Sequence, residues 1–198
     1  MGQTPPNCDL NEDPRWRRMW EHPWICSACR NEHRGIIDLV CGKADAWPGS
    51  EDLEPNGALD MTRDFLSEDF CVVEGKFFFV RSVLQLPIIG SGGEMFGYGV
   101  WSSLSRDSFE RYVETFDSGE QAGLGPWFGW FSNSLKGYPD TFGLKCQVHP
   151  RDDRQRPCIE VEPSDHPLSI DQREGITFDR LLDLYAANGH DIRPSLGS

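Results

Sequence analysis

Residues 70–88, FCVVEGKFFFVRSVLQLPI, set two β-prone runs on either side of Glu74-Gly75-Lys76, a pattern that commits this part of the chain to a β-hairpin. In that hairpin Phe78, Val80, Leu84 and Leu86 share the inward face, because side chains alternate along a strand. YGVWSSLS at 98–105 adds a third strand, and WFGWFSNSL at 127–135 reads as a strand that ends in polar turn residues. LKCQVHP (144–150) and PCIEVEP (157–163) also alternate, as strands of an antiparallel sheet do. Leu144, Cys146 and Val148 face inward in the first and Ile159 and Val161 in the second. Lys145, Gln147, His149, Cys158, Glu160 and Glu162 are left on the other side.

Two segments carry the helical period instead. In RDSFERYVETF (106–116) Asp107 and Glu110 have capping-box spacing, and Phe109, Tyr112, Val113 and Phe116 form one apolar stripe. In ITFDRLLDLYAANGH (176–190) Thr177 is the cap, Phe178, Leu181, Leu182 and Tyr185 the stripe, and Gly189 the stop. The expected fold is therefore α+β: a mostly antiparallel sheet, two flanking helices and an N-terminal zinc-knuckle-like element.

At 198 residues the chain suits one domain with tails. Residues 1–23 read as a flexible, Pro-rich N-terminal extension, 24–190 as a single α+β domain, and 191–198 as a C-terminal tail. Within the domain lie a CxxC element (24–41), an acidic connector rich in Gly and Pro (42–69) and the main body (70–190). In RWRRMWEHPW (15–24) Trp16, Met19 and Trp20 recur at i, i+3, i+4, so a short helix there can dock on the domain or on a partner.

Nineteen Lys and Arg against 32 Asp and Glu give a net charge of -13. That balance opposes phosphate neutralisation, so no nucleic-acid partner is expected. No run approaches the roughly 18 apolar residues of a membrane span, and the first residues have no secretory core; a cytoplasmic protein without membrane contact is the expectation. Seven cysteines at irregular spacing then indicate reduced thiols and a metal rather than a disulfide scaffold. GSGGEMFG (90–97) lacks the strand-loop-helix order and the Lys-Ser or Lys-Thr pair of a nucleotide cradle and reads as a turn.

WICSACRNEH (24–33) carries the sharpest chemistry. A Cys-x-x-Cys turn aims two sulfurs at one point, as zinc requires, which makes Cys26 and Cys29 metal-ligand candidates with His33 as a third. A redox pair would follow a strand and open a long helix, but charged residues and Gly interrupt RNEHRGIIDLVCG. Idle thiols are the remaining alternative. Cys41, Cys71 and His166 are remote ligand candidates, while Cys71 and Cys146 also suit the core.

A second candidate is polar. If the strands bearing His149 and Glu160 pair, these side chains and Cys158 share one face close to Asp165 and His166, a set able to do acid-base or metal chemistry; a solvated face is the alternative. Trp127, Phe128, Trp130 and Phe131 alternate across both faces of one strand, so either the sheet is covered on both sides, the favoured reading, or one aromatic pair lies away from the core in a groove.

Taken together, WICSACRNEH, DFCVVEGKFFFVRSVLQLPI, GVWSSLSRDSF, FGWFSNSLKGYPDT and RPCIEVEPSDHPLSIDQREGI resemble a bacterial family, domain of unknown function 2199, from about Trp24 to Tyr185. The resemblance implies no activity, substrate or cofactor. It does imply that the CxxC with its nearby His, Cys71, and Asp165-His166-Pro167 belong to the family pattern, and that Tyr98 and Cys146 stand where Trp and Thr are usual.

The expected function is a non-catalytic binding or accessory protein with structural zinc and an unidentified protein partner. A metal-dependent or Cys/His hydrolase using His149, Glu160 and His166 is one alternative. An immunity-type protein that binds a basic toxin is another, suited to the acidic charge.

Overall fold

The computed structural model describes residues 9–26 and 28–197. Of the expected N-terminal extension (1–23), residues 1–8 lie outside the described residues. Asp13 accepts a hydrogen bond from the Arg15 amide at 2.8 Å, and Pro14 follows it at a position where a missing N–H costs nothing, so α1 (Pro14–Glu21) starts there. Trp16 and Met19 are buried, and Trp16 meets Phe178 edge-on at 5.2 Å. The short helix thus docks on the body of the protein.

The chain then forms β1 (Trp24–Ile25), β2 (Glu32–His33) and β3 (Leu39–Val40), crosses the connector to β4 (Phe65–Leu66), and enters the hairpin of β5 (Phe70–Val73) and β6 (Phe77–Pro87). After β7 (Met95–Leu104) come α2 (Arg106–Phe116), β8 (Trp127–Trp130), β9 (Lys145–His149), β10 (Cys158–Val161), α3 (Pro167–Glu174), α4 (Phe178–Ala187) and α5 (Arg193–Leu196). β1 and β2 make a separate two-stranded ribbon. The main sheet runs β3-β7-β6-β10-β9-β8, with β5 on β6 and β4 on β5.

The expected fold class is α+β, and the structure agrees, but the sheet is mixed rather than mostly antiparallel. β10 runs parallel to β6 and β3 parallel to β7. Alternation along a strand shows which side chains share a face and says nothing of a strand's direction relative to a distant partner. There are also five α-helices among the described residues rather than two flanking ones. α3 is hidden in the sequence because His166-Pro167 resembles a turn; here His166 is its N-cap and Pro167 its first residue. α2 is capped by Ser105, whose hydroxyl accepts from the Ser108 amide, instead of by Asp107.

Phe78, Val80, Leu84 and Leu86 all face inward and are buried. One end of the core, around Leu84, Leu86, Phe96 and Ile159, is covered by Leu181, Leu182 and Tyr185 of α4; the other, around Phe78 and Val80, by Phe109 and Tyr112 of α2. Buried Ser82 and Ser102 lie along the same strands, and the Ser102 hydroxyl meets Cys146 Sγ at 3.3 Å. On the outer face Trp101, Phe79 and Cys71 pack under Ala44 and Trp47.

A bridge between Ser102 and Phe131 ties the end of β8 back to β7, so the sheet curls round on itself. Gly129 permits this approach. A Cβ there would meet the Ser102 hydroxyl and the Ser103 carbonyl. Gly129→Ala should cost about 1–3 kcal/mol through overpacking, read as a lower urea midpoint at unchanged m-value. At the α1 cap, Asp13→Ala should cost about 1 kcal/mol at neutral pH. The Arg15 side chain, hydrogen-bonded to Asp13, holds this carboxyl below its ordinary value of 3.8. Its contribution is therefore complete above that value, and the stability gap between wild type and variant should hold down to about pH 5 and narrow below about pH 4.

Candidate metal centre

The CxxC lies in the turn of the β1–β2 ribbon. Trp24 pairs with His33 and Ile25 with Glu32, and residues paired across strands share a face. Trp24 is buried and Ile25 exposed, so His33 lies on Trp24's side, its ring 4.9 Å from the indole. Cys26, two residues beyond Trp24, continues inward and is fully buried. Its amide donates to the Asn31 carbonyl at 3.0 Å and its carbonyl accepts from the Arg30 amide at 3.0 Å. Arg30 takes a left-handed conformation, φ 62°, to close the turn.

A third donor approaches from the far end of the chain. α4 stops at Gly189, φ 84°, whose amide donates to the Ala186 carbonyl while the His190 amide donates to the Tyr185 carbonyl at 2.8 Å. These are the two bonds of a Schellman motif, which fix the backbone of His190 relative to the helix. Tyr185 also reaches the N-terminal element: its hydroxyl accepts from the Ile37 amide at 3.0 Å and donates to the Ile37 carbonyl at 2.8 Å. The helix end and residues 35–37 are thereby held together, and His190 Nδ1 comes within 3.0 Å of Cys26 Sγ.

Cys26 Sγ, Cys29 Sγ and a His190 ring nitrogen all lie within 4.8 Å of one another and could hold a metal ion. His33 Nε2 is 3.0 Å from Cys29 Sγ on the solvent side. Burial opposes ionisation of Cys26, but the amides of Cys29 and Ala28, the His190 ring and the Cys29 thiol outweigh it and bring the thiol down to about 7. A metal-binding thiol must be a thiolate, so the same contacts favour coordination.

The model of the family described as "Uncharacterized protein conserved in bacteria (DUF2199)" matches residues 25–176. The chain belongs to this family. The match includes Cys26, Cys29 and His33 and ends before His190. No curated protein and no solved structure matches the chain. Among the described residues, no helix is long and apolar enough to cross a membrane.

Among the described residues, the other cysteines stand apart from this cluster. Cys41 and Cys71 pack in the outer-face core, where burial pushes their thiols up to about 11 and about 12. Cys146 faces inward as its alternation requires, and burial raises it to about 11. Such thiols stay protonated and act as small apolar residues. His190 was invisible to sequence reasoning. The local signal is Asn188-Gly189-His190, a helix stop followed by a histidine, but nothing local ties it to Cys26.

The polar set is brought together only in part. β9 and β10 pair antiparallel with His149 opposite Cys158, and His149 Nε2 is 3.3 Å from Glu160 Oε2. They line a groove of about 400 Å³ with Gln85, Met95 and Arg173. This groove opens because β10 leaves β6 after Ile159, and Gln172 fills the gap by accepting from the Val161 amide and donating to the Ile159 carbonyl.

His166 does not line the groove. Its Nδ1 accepts from the Leu168 amide at 3.1 Å, which leaves Nε2 as the protonated nitrogen that donates to the Pro139 carbonyl at 2.7 Å. Asp165 beside it is exposed. Phe128 and Trp130 lie on the bare outer side of β8, 47% and 45% exposed, so this strand is covered on one side only. His166→Ala should cost about 1 kcal/mol as a lost cap and leave the metal content of the protein unchanged, which elemental analysis beside a denaturant titration would show.

Proposed function

We propose that the chain is a non-catalytic intracellular binding or accessory protein in which a structural zinc ion holds the N-terminal element to the end of α4. The observation that carries this reading is the convergence of Cys26, Cys29 and His190. Two thiolates and an imidazole are a borderline-soft donor set of the kind zinc prefers. A redox role fits poorly, because this CxxC sits in the turn of a two-stranded ribbon and opens no helix.

Zinc also answers a packing need. β1 and β2 are two residues each, and Ile25 and Glu32 face solvent, so Trp24 is the one large apolar side chain the two strands bury and a metal supplies further free energy. The hydrolase reading loses His166 to the helix cap. A net charge of -13 suits a basic protein partner, including a toxin of that character.

Protein purified without added metal should contain about one zinc per chain by elemental analysis. Cys26→Ser should lose the ion, and hydrogen exchange should then accelerate in residues 14–37 and 188–197 while the main sheet stays protected. Metal-free wild-type protein, or a variant with unchanged exchange in both segments, would refute the reading.

A further inference from the structure

We infer that His33 is the fourth ligand, so that the zinc site is a closed Cys2His2 sphere with no position left for water or substrate. This rests on the zinc reading above. The donors occur as two sulfur–nitrogen pairs, Cys26 with His190 Nδ1 and Cys29 with His33 Nε2, each at 3.0 Å. In a tetrahedral site with zinc–sulfur and zinc–nitrogen bonds of about 2.3 and 2.0–2.1 Å, neighbouring sulfur and nitrogen donors stand about 3.5 Å apart. Each pair needs to open by about half an ångström to admit the ion, and His33, which lies outside the group of Cys26, Cys29 and His190 donors that are all within 4.8 Å of one another, must also swing inward until it stands about 3.5 Å from the others.

The ribbon directs His33 to this place. Its register with Trp24 puts the imidazole on the inward face, and the Trp24 ring, inclined at 36°, backs it. Cys26 is buried and Cys29 exposed, so the sphere is sealed by protein on the Cys26–His190 side and lies open beside Cys29. His33 covers that open side. A three-ligand site would keep water in the fourth position, as catalytic zinc does, whereas four protein ligands make a structural site. Because one ligand pair comes from the ribbon alone and the other joins ribbon to α4, the ion also closes the chain between residues 26 and 190.

Cobalt(II) titration of the full-length apoprotein tests this. Wild type should bind one ion with the strong d–d bands of a tetrahedral site, and added imidazole should leave them unchanged. His33→Ala should bind more than about 100-fold more weakly, since even an outer-shell partner is worth 10–100-fold, and its spectrum should respond to imidazole. His33→Cys should restore tight tetrahedral binding with stronger thiolate-to-metal charge transfer. Unchanged affinity and spectrum in His33→Ala, or a wild-type spectrum that shifts with imidazole, overturns the fourth ligand and leaves zinc on Cys26, Cys29 and His190 standing. Failure of wild type to bind cobalt at all overturns both readings.

Discussion

The hydroxyl of Tyr185 joins the two ends of this protein. By donating to the Ile37 carbonyl and accepting from its amide, it satisfies both backbone groups of a residue that belongs to no strand. It does so from inside the core, fully buried and edge-on to Phe96 at 5.7 Å. One turn later the same helix ends in the Schellman motif that carries His190. The position of the candidate metal centre is thus set by a hydrogen-bonded tyrosine and a helix stop, both built on the apolar stripe of α4.

α1 reinforces this arrangement. It packs Trp16 on Phe178 of α4, and its Met19 carbonyl accepts from the Gly35 amide at 2.8 Å. Gly35 has φ 70° and lies against the Trp20 ring, where a side chain would clash. The ribbon with its CxxC is therefore held between two pieces of chain that both rest on α4. A metal placed there adds to a contact that already exists, which suits a staple better than a site that must open and close around a substrate.

The sheet sets where other chemistry is exposed. β6 serves β7 along one whole edge and divides its other edge between β5 and β10. Where β10 departs, the Gln172 side chain replaces the missing ladder bonds and the groove forms beside it. The bare outer side of β8, with Phe128 stacked edge-on to Trp130 at 5.1 Å, is a separate feature of the same curled sheet. Its charge neighbours are Lys145, across from Trp130, and Glu160 on β10.

The sequence by itself determined the local elements. The Glu74-Gly75-Lys76 hairpin, the inward faces of β6, β9 and β10, the Thr177 cap and the Gly189 stop all follow from periods and turn chemistry that act within a few residues. It also paired Cys26 with Cys29 and put His33 within reach, because all three lie in one short turn. Strand direction, the hidden α3 and the place of His190 beside Cys26 were decided by tertiary structure. Parallel pairing of β6 with β10 joins residues far apart in the chain, and His166 reads as a turn until a helix packs behind it. The approach of His190 to Cys26 depends on how α4 lies across the sheet, a consequence of packing its whole apolar stripe that no local pattern near residue 190 encodes.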